Sequence, residues 1–192
     1  MTRVVAFAPL IGRAPRVLIL GSLPGAASLA ANEYYAHPRN AFWPILEKLT
    51  GIAAAAPYQE RVAAAQRAGI AVWDVLAAAS RPGSLDSSID QRSLVTNDFD
   101  DLLRRRRTIE LIACNGQMSA KLFRQRVQPH LMGRAAKLLP ITLPSTSPAN
   151  AGLSFERKAA LWLAVLRPAL QHGSGGAGRS ARLQEISADV VD

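Results

Sequence analysis

Four short apolar runs constrain this chain more than any other feature. They are RVLIL at residues 16–20, IAVWDVL at 70–76, IELIAC at 109–114 and LLPITL at 138–143. None alternates cleanly between apolar and polar residues. Short apolar runs without alternation mark strands buried on both faces of a parallel sheet. Helical patterns lie between them at 42–49, 59–68, 98–106 and 119–126. A fifth spans 155–166, with Ser154 placed to cap it and Glu156 in its first turn, where a carboxylate meets the positive helix end. Strands alternating with helices predict an α/β fold: a three-layer α/β/α sandwich with a mainly parallel central sheet. The 192 residues suffice for one such domain, placed at 1–172, with a core of ordinary size. The polar, glycine-rich residues 173–192 read as a disordered tail.

In such sheets ligands bind beyond the carboxyl ends of the strands. Each apolar run is followed by a polar segment: GSLPG, SRPGSLDSSI, NGQMS and PSTSPAN. The predicted topology gathers all four on one edge. The net charge is +9 and the pI about 10.8, which favours a polyanionic partner, above all nucleic acid. Only four of the 23 basic residues are lysine and the chain is rich in alanine, so coding composition is a second source of this charge. The single cysteine, Cys114, excludes an internal disulfide and any four-cysteine cluster. There is no apolar stretch of membrane-spanning length and no secretory leader pattern. A cytoplasmic, reduced setting is expected.

Residues 21–43 (GSLPGAASLAANEYYAHPRNAFW) are the densest in hydrogen-bonding and stacking groups. The loop Gly21, Ser22, Leu23, Pro24, Gly25 is neither a dinucleotide fingerprint nor a Walker loop. It brings backbone close to a ligand or simply turns the chain into a helix. An aromatic ring such as Tyr34 or Tyr35 can stack on a nucleobase, and an asparagine such as Asn40 can hold a water or a base edge. Asn40 is also well placed to cap the helix that follows. Phe42 and Trp43 suit the core. Asn115-Gly116 is a base-facing amide or a turn. The run Arg104-Arg105-Arg106-Arg107 ends a helix that opens with Asp98, Asp100 and Asp101. Acid first and base last suits the helix dipole and a solvated end.

Three motifs in this order, GSLPG, AHPRNAFW and LPSTSPAN, resemble the uracil-DNA glycosylase superfamily, and most closely its hypoxanthine (deoxyinosine) branch, over residues 17–162. The resemblance implies removal of a deaminated base from DNA by base flipping and hydrolysis of the N-glycosidic bond. It places Gly21, Ser22 and Leu23 around the base, and Pro24 and Gly25 against DNA. Leu23 stands where relatives carry a water-positioning Asp, Asn or Glu, so the resemblance passes that role to Asn40. It gives Tyr35 the stacking position, with Tyr34 as second choice. His37 donates to a phosphate or shapes its loop; Arg39 touches the DNA backbone or is solvated. Asp74 stands where uracil-specific relatives carry Asn. As a carboxylate it only accepts hydrogen bonds, which suits the N1–H of hypoxanthine; otherwise it caps a turn or pairs with Arg81. Asn115 joins the base-binding set if it is not simply part of a turn. Ser145 and Ser147 would contact phosphates, and Thr146 or its neighbours would form a wedge. Leu143 replaces a histidine that many relatives carry. No lysine lies in these motifs, so no Schiff-base lyase step is expected and the product is an abasic site. No metal and no organic cofactor is implied; the partner is DNA containing deaminated bases, met by a monomer. The alternatives are a uracil or mismatched-thymine glycosylase, an inactive DNA-binding relative, and an enzyme of free nucleotides.

Overall fold

Residues 3–171 are described by the computed structural model. In chain order the elements are β1 (Arg3–Val5), β2 (Val17–Gly21), α1 (Ala26–Ala31), α2 (Phe42–Thr50), α3 (Tyr58–Arg67), β3 (Ile70–Asp74) and β4 (Leu76–Ser80). Then follow β5 (Val95–Thr96), α4 (Phe99–Arg105), β6 (Leu111–Asn115), α5 (Gln117–Leu122), β7 (Pro140–Leu143) and α6 (Phe155–Gln171). The residues expected to form a tail, 173–192, lie outside those described.

The central sheet has the order β3-β2-β6-β7 and is parallel throughout. Val17 and Ile19 of β2 face a core with α2, α3 and α6. Leu18 and Leu20 face a second core with α4, α5 and the small sheet. Each of these four side chains is fully buried, worth about 1.5–3 kcal/mol apiece. Two apolar faces per strand explain why the runs do not alternate. The three-layer α/β/α sandwich is the observed fold.

The chain departs from the sequence expectation at the second run. The strand ends at Asp74, and Leu76–Ser80 enters a separate three-stranded antiparallel sheet, β1-β4-β5. The break is held by the first loop: Val75 N donates to Gly21 O (2.9 Å) and Leu76 N to Ser22 O (3.1 Å). The helix expected at 119–126 begins at Gln117 and continues into a wider turn, Phe123–Val127. Ser154 caps α6 as expected, its Oγ accepting from Arg157 N (3.2 Å). Arg104 and Arg105 both reach Asp101 Oδ1 (2.6 and 2.8 Å) across one turn of α4, so part of the arginine run forms exposed ion pairs on its own helix. No described helix is long and apolar enough to cross a membrane.

β2 lies between β3 and β6. The chain therefore crosses first to one side of β2 and later to the other. A sheet opens a crevice at such a switch point, beyond the carboxyl strand ends. Gly21, Asp74, Asn115 and Leu143 all end strands there.

Candidate active site

A cavity of about 690 Å³ occupies this edge, within the usual size of an organic-ligand site. The loop 21–25, Tyr35, His37, Arg39, Asn40, Asp74, Asn115 and the loop 145–150 all line it. Every candidate residue from the sequence thus lies on one cavity. Ser84, Leu85 and Asp86 complete the wall and were not singled out from sequence.

Gly21 pairs with Asp74 across β2 and β3. A Cβ at Gly21 would collide with Asp74 Oδ1 and lie 3.2 Å from the Tyr35 hydroxyl. Those two side chains crowd over the strand end, and only glycine leaves them room. The rest of the loop is held by the segment after β4. Arg81 is buried and donates to the carbonyls of Leu23 (3.4 Å), Pro24 and Gly83 (3.1 Å). Ser22 Oγ donates to Asp86 Oδ1 (2.6 Å), and Ser84 Oγ accepts from Ala26 N (2.9 Å). Leu23 lines the cavity but also packs in the core with Trp73 and Leu76, which explains an apolar residue at this position. Leu143 is likewise a core residue, against α2 and α6.

Tyr35 has φ +57°, a left-handed conformation that non-glycine residues adopt at a cost. Its ring stacks on Phe42, centroids 3.9 Å apart, so one face is taken while the ring lines the cavity. Its hydroxyl is buried and has no hydrogen-bonding partner among the described residues. Tyr34, the second choice for stacking, also borders the cavity, but it is buried, its hydroxyl donates to the Phe7 and Ala8 carbonyls, and Trp43 Nε1 donates to its carbonyl (2.9 Å). Phe42 and Trp43 are core residues.

Asn40 is not the cap of α2: that position is Ala41, with no side-chain cap bond. Asn40 Oδ1, one residue earlier, accepts from Phe42 N (3.0 Å), which fixes the carboxamide in the turn before the helix. One lone pair of that oxygen and both Nδ2 hydrogens remain beyond this bond. His37 Nδ1 accepts from Arg39 N (3.1 Å) and His37 O from Asn40 N (2.8 Å), so His37 shapes the turn that presents Asn40. Arg39 is exposed.

Asn115 carries both halves of its amide to one neighbour. Its Nδ2 donates to Thr146 Oγ1 (2.8 Å) and its Oδ1 accepts from Thr146 N (2.9 Å). The side chain lies on the cavity, yet its hydrogen bonds stitch β6 to the serine loop. Thr146 is corrected as a wedge: at 1% exposure and held by Asn115, it cannot protrude. The exposed stretch lies further on, at Ala149 and Ala151–Ser154. The serine loop folds on itself. Ser145 Oγ accepts from Ser147 N, Ser147 Oγ from Ala149 N, and Asn150 Nδ2 donates to Ser145 O. From α6, Trp162 Nε1 donates to Pro144 O (2.9 Å) and Lys158 Nζ to Asn150 O. Ala41 N donates to Thr146 O (3.0 Å), joining the two halves of the cavity.

Asp74 is 3% exposed and its Oδ2 has no partner among the described residues. Burial pushes its carboxyl up to about 7, the Asp86 charge adds to this, and Arg81 opposes it. Arg81 does not pair with Asp74; its ion-pair partner is Asp86 Oδ1, at 3.8 Å. Burial, then the Asp74 charge, raises the Tyr35 phenol, and the nearby Asn115 side chain opposes this without forming a well-aligned hydrogen bond. Burial pushes the Cys114 thiol up to about 12, which leaves it unreactive. No group of three or more metal-ligating side chains occurs among the described residues.

Comparison with known proteins places the chain in a family. A family model, the uracil DNA glycosylase superfamily, matches residues 9–167. A hypoxanthine DNA glycosylase of Methanosarcina acetivorans is 34% identical over 156 residues, 79% of this chain and 90% of that protein. One of Methanosarcina barkeri is 36% identical over 116 residues, 60% and 72% respectively. A solution structure from Methanosarcina acetivorans, described as a candidate uracil DNA glycosylase, superposes with a TM-score of 0.74 at 30% identity, covering 89% of this chain and all of that one. With its fold, the strand-end cavity and a family match over most of its length in accord, the chain belongs to the uracil DNA glycosylase superfamily.

Proposed function

We propose that this protein is a monofunctional DNA glycosylase that removes deaminated bases, hypoxanthine first, by hydrolysing the N-glycosidic bond. The observation that carries this reading is the meeting of Asn40, Tyr35, Asp74 and the serine loop on one cavity. The relatives named hypoxanthine DNA glycosylase support the choice of base.

The target nucleotide leaves the stack, at a cost of a few kcal/mol. Its base enters the cavity, lies against the Tyr35 ring and meets Asp74 at the strand end. The C1′–N9 bond breaks with its electron pair going to the base, and the sugar gains oxocarbenium character. Asn40, fixed by Phe42 N, orients the water whose oxygen bonds to C1′. The departing base takes up a proton, and a neutral base and an abasic sugar result. Backbone and hydroxyl donors around the cavity stabilise the charge developing on the base. Ser145 and Ser147 hold phosphates. The protein acts as a monomer in this reading and needs no cofactor.

The test is excision from matched duplexes carrying one hypoxanthine, uracil, mismatched thymine or xanthine. Hypoxanthine release by the wild type, lost in Asn40→Ala, is the expected result. No release from any duplex, with tight DNA binding retained, would replace this reading by that of a binding module.

A further inference from the structure

Two buried polar atoms lack a hydrogen-bonding partner among the described residues: Tyr35 Oη and Asp74 Oδ2. Both side chains gather over Gly21. An unmet buried polar atom is costly, and two on one cavity mark where a ligand's polar edge belongs.

The charged and titratable groups around Asp74 come from several directions. Arg81, after β4, is the nearby cation, but it gives its donors to the carbonyls of Leu23, Pro24 and Gly83 and pairs with Asp86. From the turn Asp86–Ser88 comes the Asp86 carboxyl, held by Ser22 Oγ. Tyr34 and Tyr35 approach from the segment before α2, where His37 and Arg39 line the same cavity. Asn97, before α4, donates to the Asp74 backbone carbonyl (2.8 Å) and not to the carboxyl. A charged Asp74 would therefore be desolvated, without an ion pair and faced by a like charge. Each of these disfavours ionisation.

We propose that Asp74 reads the flipped base as a neutral carboxyl, donor and acceptor at once, and that Asp86, oriented by Ser22 and Arg81, is a positioning residue that adds to burial in keeping it neutral. This rests on the glycosylase reading of the cavity. The carbonyl oxygen of Asp74 accepts the ring N–H of a lactam, and its O–H donates to the neighbouring lactam oxygen. Hypoxanthine offers this pair at N1–H and O6, and uracil at N3–H and O4. An ionised Asp74 still accepts from the N–H but sets its second oxygen against the lactam oxygen. The substrate class is then any deaminated base with a lactam edge. Asp74 taken from sequence as a bare acceptor suited hypoxanthine N1–H; as a neutral carboxyl it suits uracil equally. Burial places the titration at about 7, so recognition weakens as pH rises through neutrality.

The experiment has two readouts. One is the titration of Asp74 in the free protein, followed by the NMR shift of its labelled carboxyl carbon. The other is the binding preference for a duplex with one 2′-fluoro-deoxyinosine, which resists cleavage, over the same duplex with deoxyadenosine, between pH 5.5 and 9. We expect titration near neutrality and a wild-type preference that falls up to tenfold per pH unit above it. Asp74→Asn, whose carboxamide holds a donor and an acceptor at every pH, should flatten the profile. Asp86→Asn should move both the titration and the fall to lower pH. Titration of Asp74 in the ordinary carboxylate range would overturn the proposal. So would an Asp74→Asn profile that falls as the wild type does. Excision is measured separately on cleavable duplexes: if none is cut but the pH-dependent preference persists, the glycosylase reading fails and base recognition by neutral Asp74 stands.

Discussion

Asn40 Oδ1 holds the start of α2 through Phe42 N, and in the proposed reaction the same carboxamide holds the water. The two tasks separate by substitution. Asn40→Ala should lower excision by on the order of 10²–10³-fold, as loss of a single well-placed polar group does elsewhere. It should also lose about 1 kcal/mol of stability with the hydrogen bond from Phe42 N. Asn40→Asp keeps an acceptor for Phe42 N and should recover that stability in a thermal melt. If Asn40→Ala loses stability but no activity, Asn40 only braces the turn before α2. Asp74 gives a second prediction at this scale, in stability. Its folded titration point lies above the ordinary 3.8, so between about pH 4 and 7 the folded state retains a proton that the unfolded chain has released. The part of the stability that Asp74 contributes is then greatest below pH 4, falls as pH rises to about 7 and levels off above it. Asp74→Asn should lack this decline and melt higher than wild type at pH 8, by at most a few kcal/mol. Thermal melts of both proteins from pH 4 to 8 check the sign.

Elements show how far the sequence could be read. Parallel strands buried on both faces carry a strong local signal, and β2, β3, β6 and β7 fall within a few residues of the four apolar runs. The small sheet was invisible because β1 and β5 are only three and two residues long, and β4 is an alanine-rich run of weak strand preference. Its pairing, Arg3 with Ser80, joins residues far apart along the chain. The site residues were legible through their motifs, but not their partners. Nothing local in sequence says that Arg81 would hold the carbonyls of loop 21–25, or that Asn115 would close on Thr146. These partners make the two loops one unit, which leads to a prediction. Lys158→Met removes the amine that α6 supplies to Asn150 O while keeping an apolar stem of similar length. It should loosen residues 145–150, seen as faster amide exchange there, with excision reduced severalfold. Unchanged exchange in that loop would mean that Trp162 and Asn115 hold it unaided.

The whole molecule carries a formal charge of +9, yet among the described residues five arginines are engaged with acidic groups of the chain itself. Arg81 is buried against carbonyls and Asp86. Arg104 and Arg105 pair with Asp101, and Arg16 with Glu110. Arg61 pairs with Glu33 and lies 4.7 Å from the Trp43 ring centroid. Among the described residues lining the cavity, Arg39 is the exposed arginine; the serine loop offers the hydroxyls of Ser145 and Ser147, while its amides at Thr146, Ser147, Ala149 and Asn150 are bonded within the site. Neutral donors hold phosphates without releasing counterions, whereas each cation that neutralises a phosphate steepens the log–log salt dependence by about 0.9. The predicted slope for binding a lesion duplex is therefore shallow, about −1 to −3, despite the high net charge. Arg39→Ala should flatten it by about one. Ser145→Ala should weaken binding equally at every salt concentration and leave the slope alone. Fluorescence polarisation from 25 to 300 mM salt distinguishes these cases (~tenfold range, ample for a slope of this size). A wild-type slope steeper than about −5 would mean that the duplex lies across a broad cationic face, and that the strand-end cavity is only one part of a larger DNA contact.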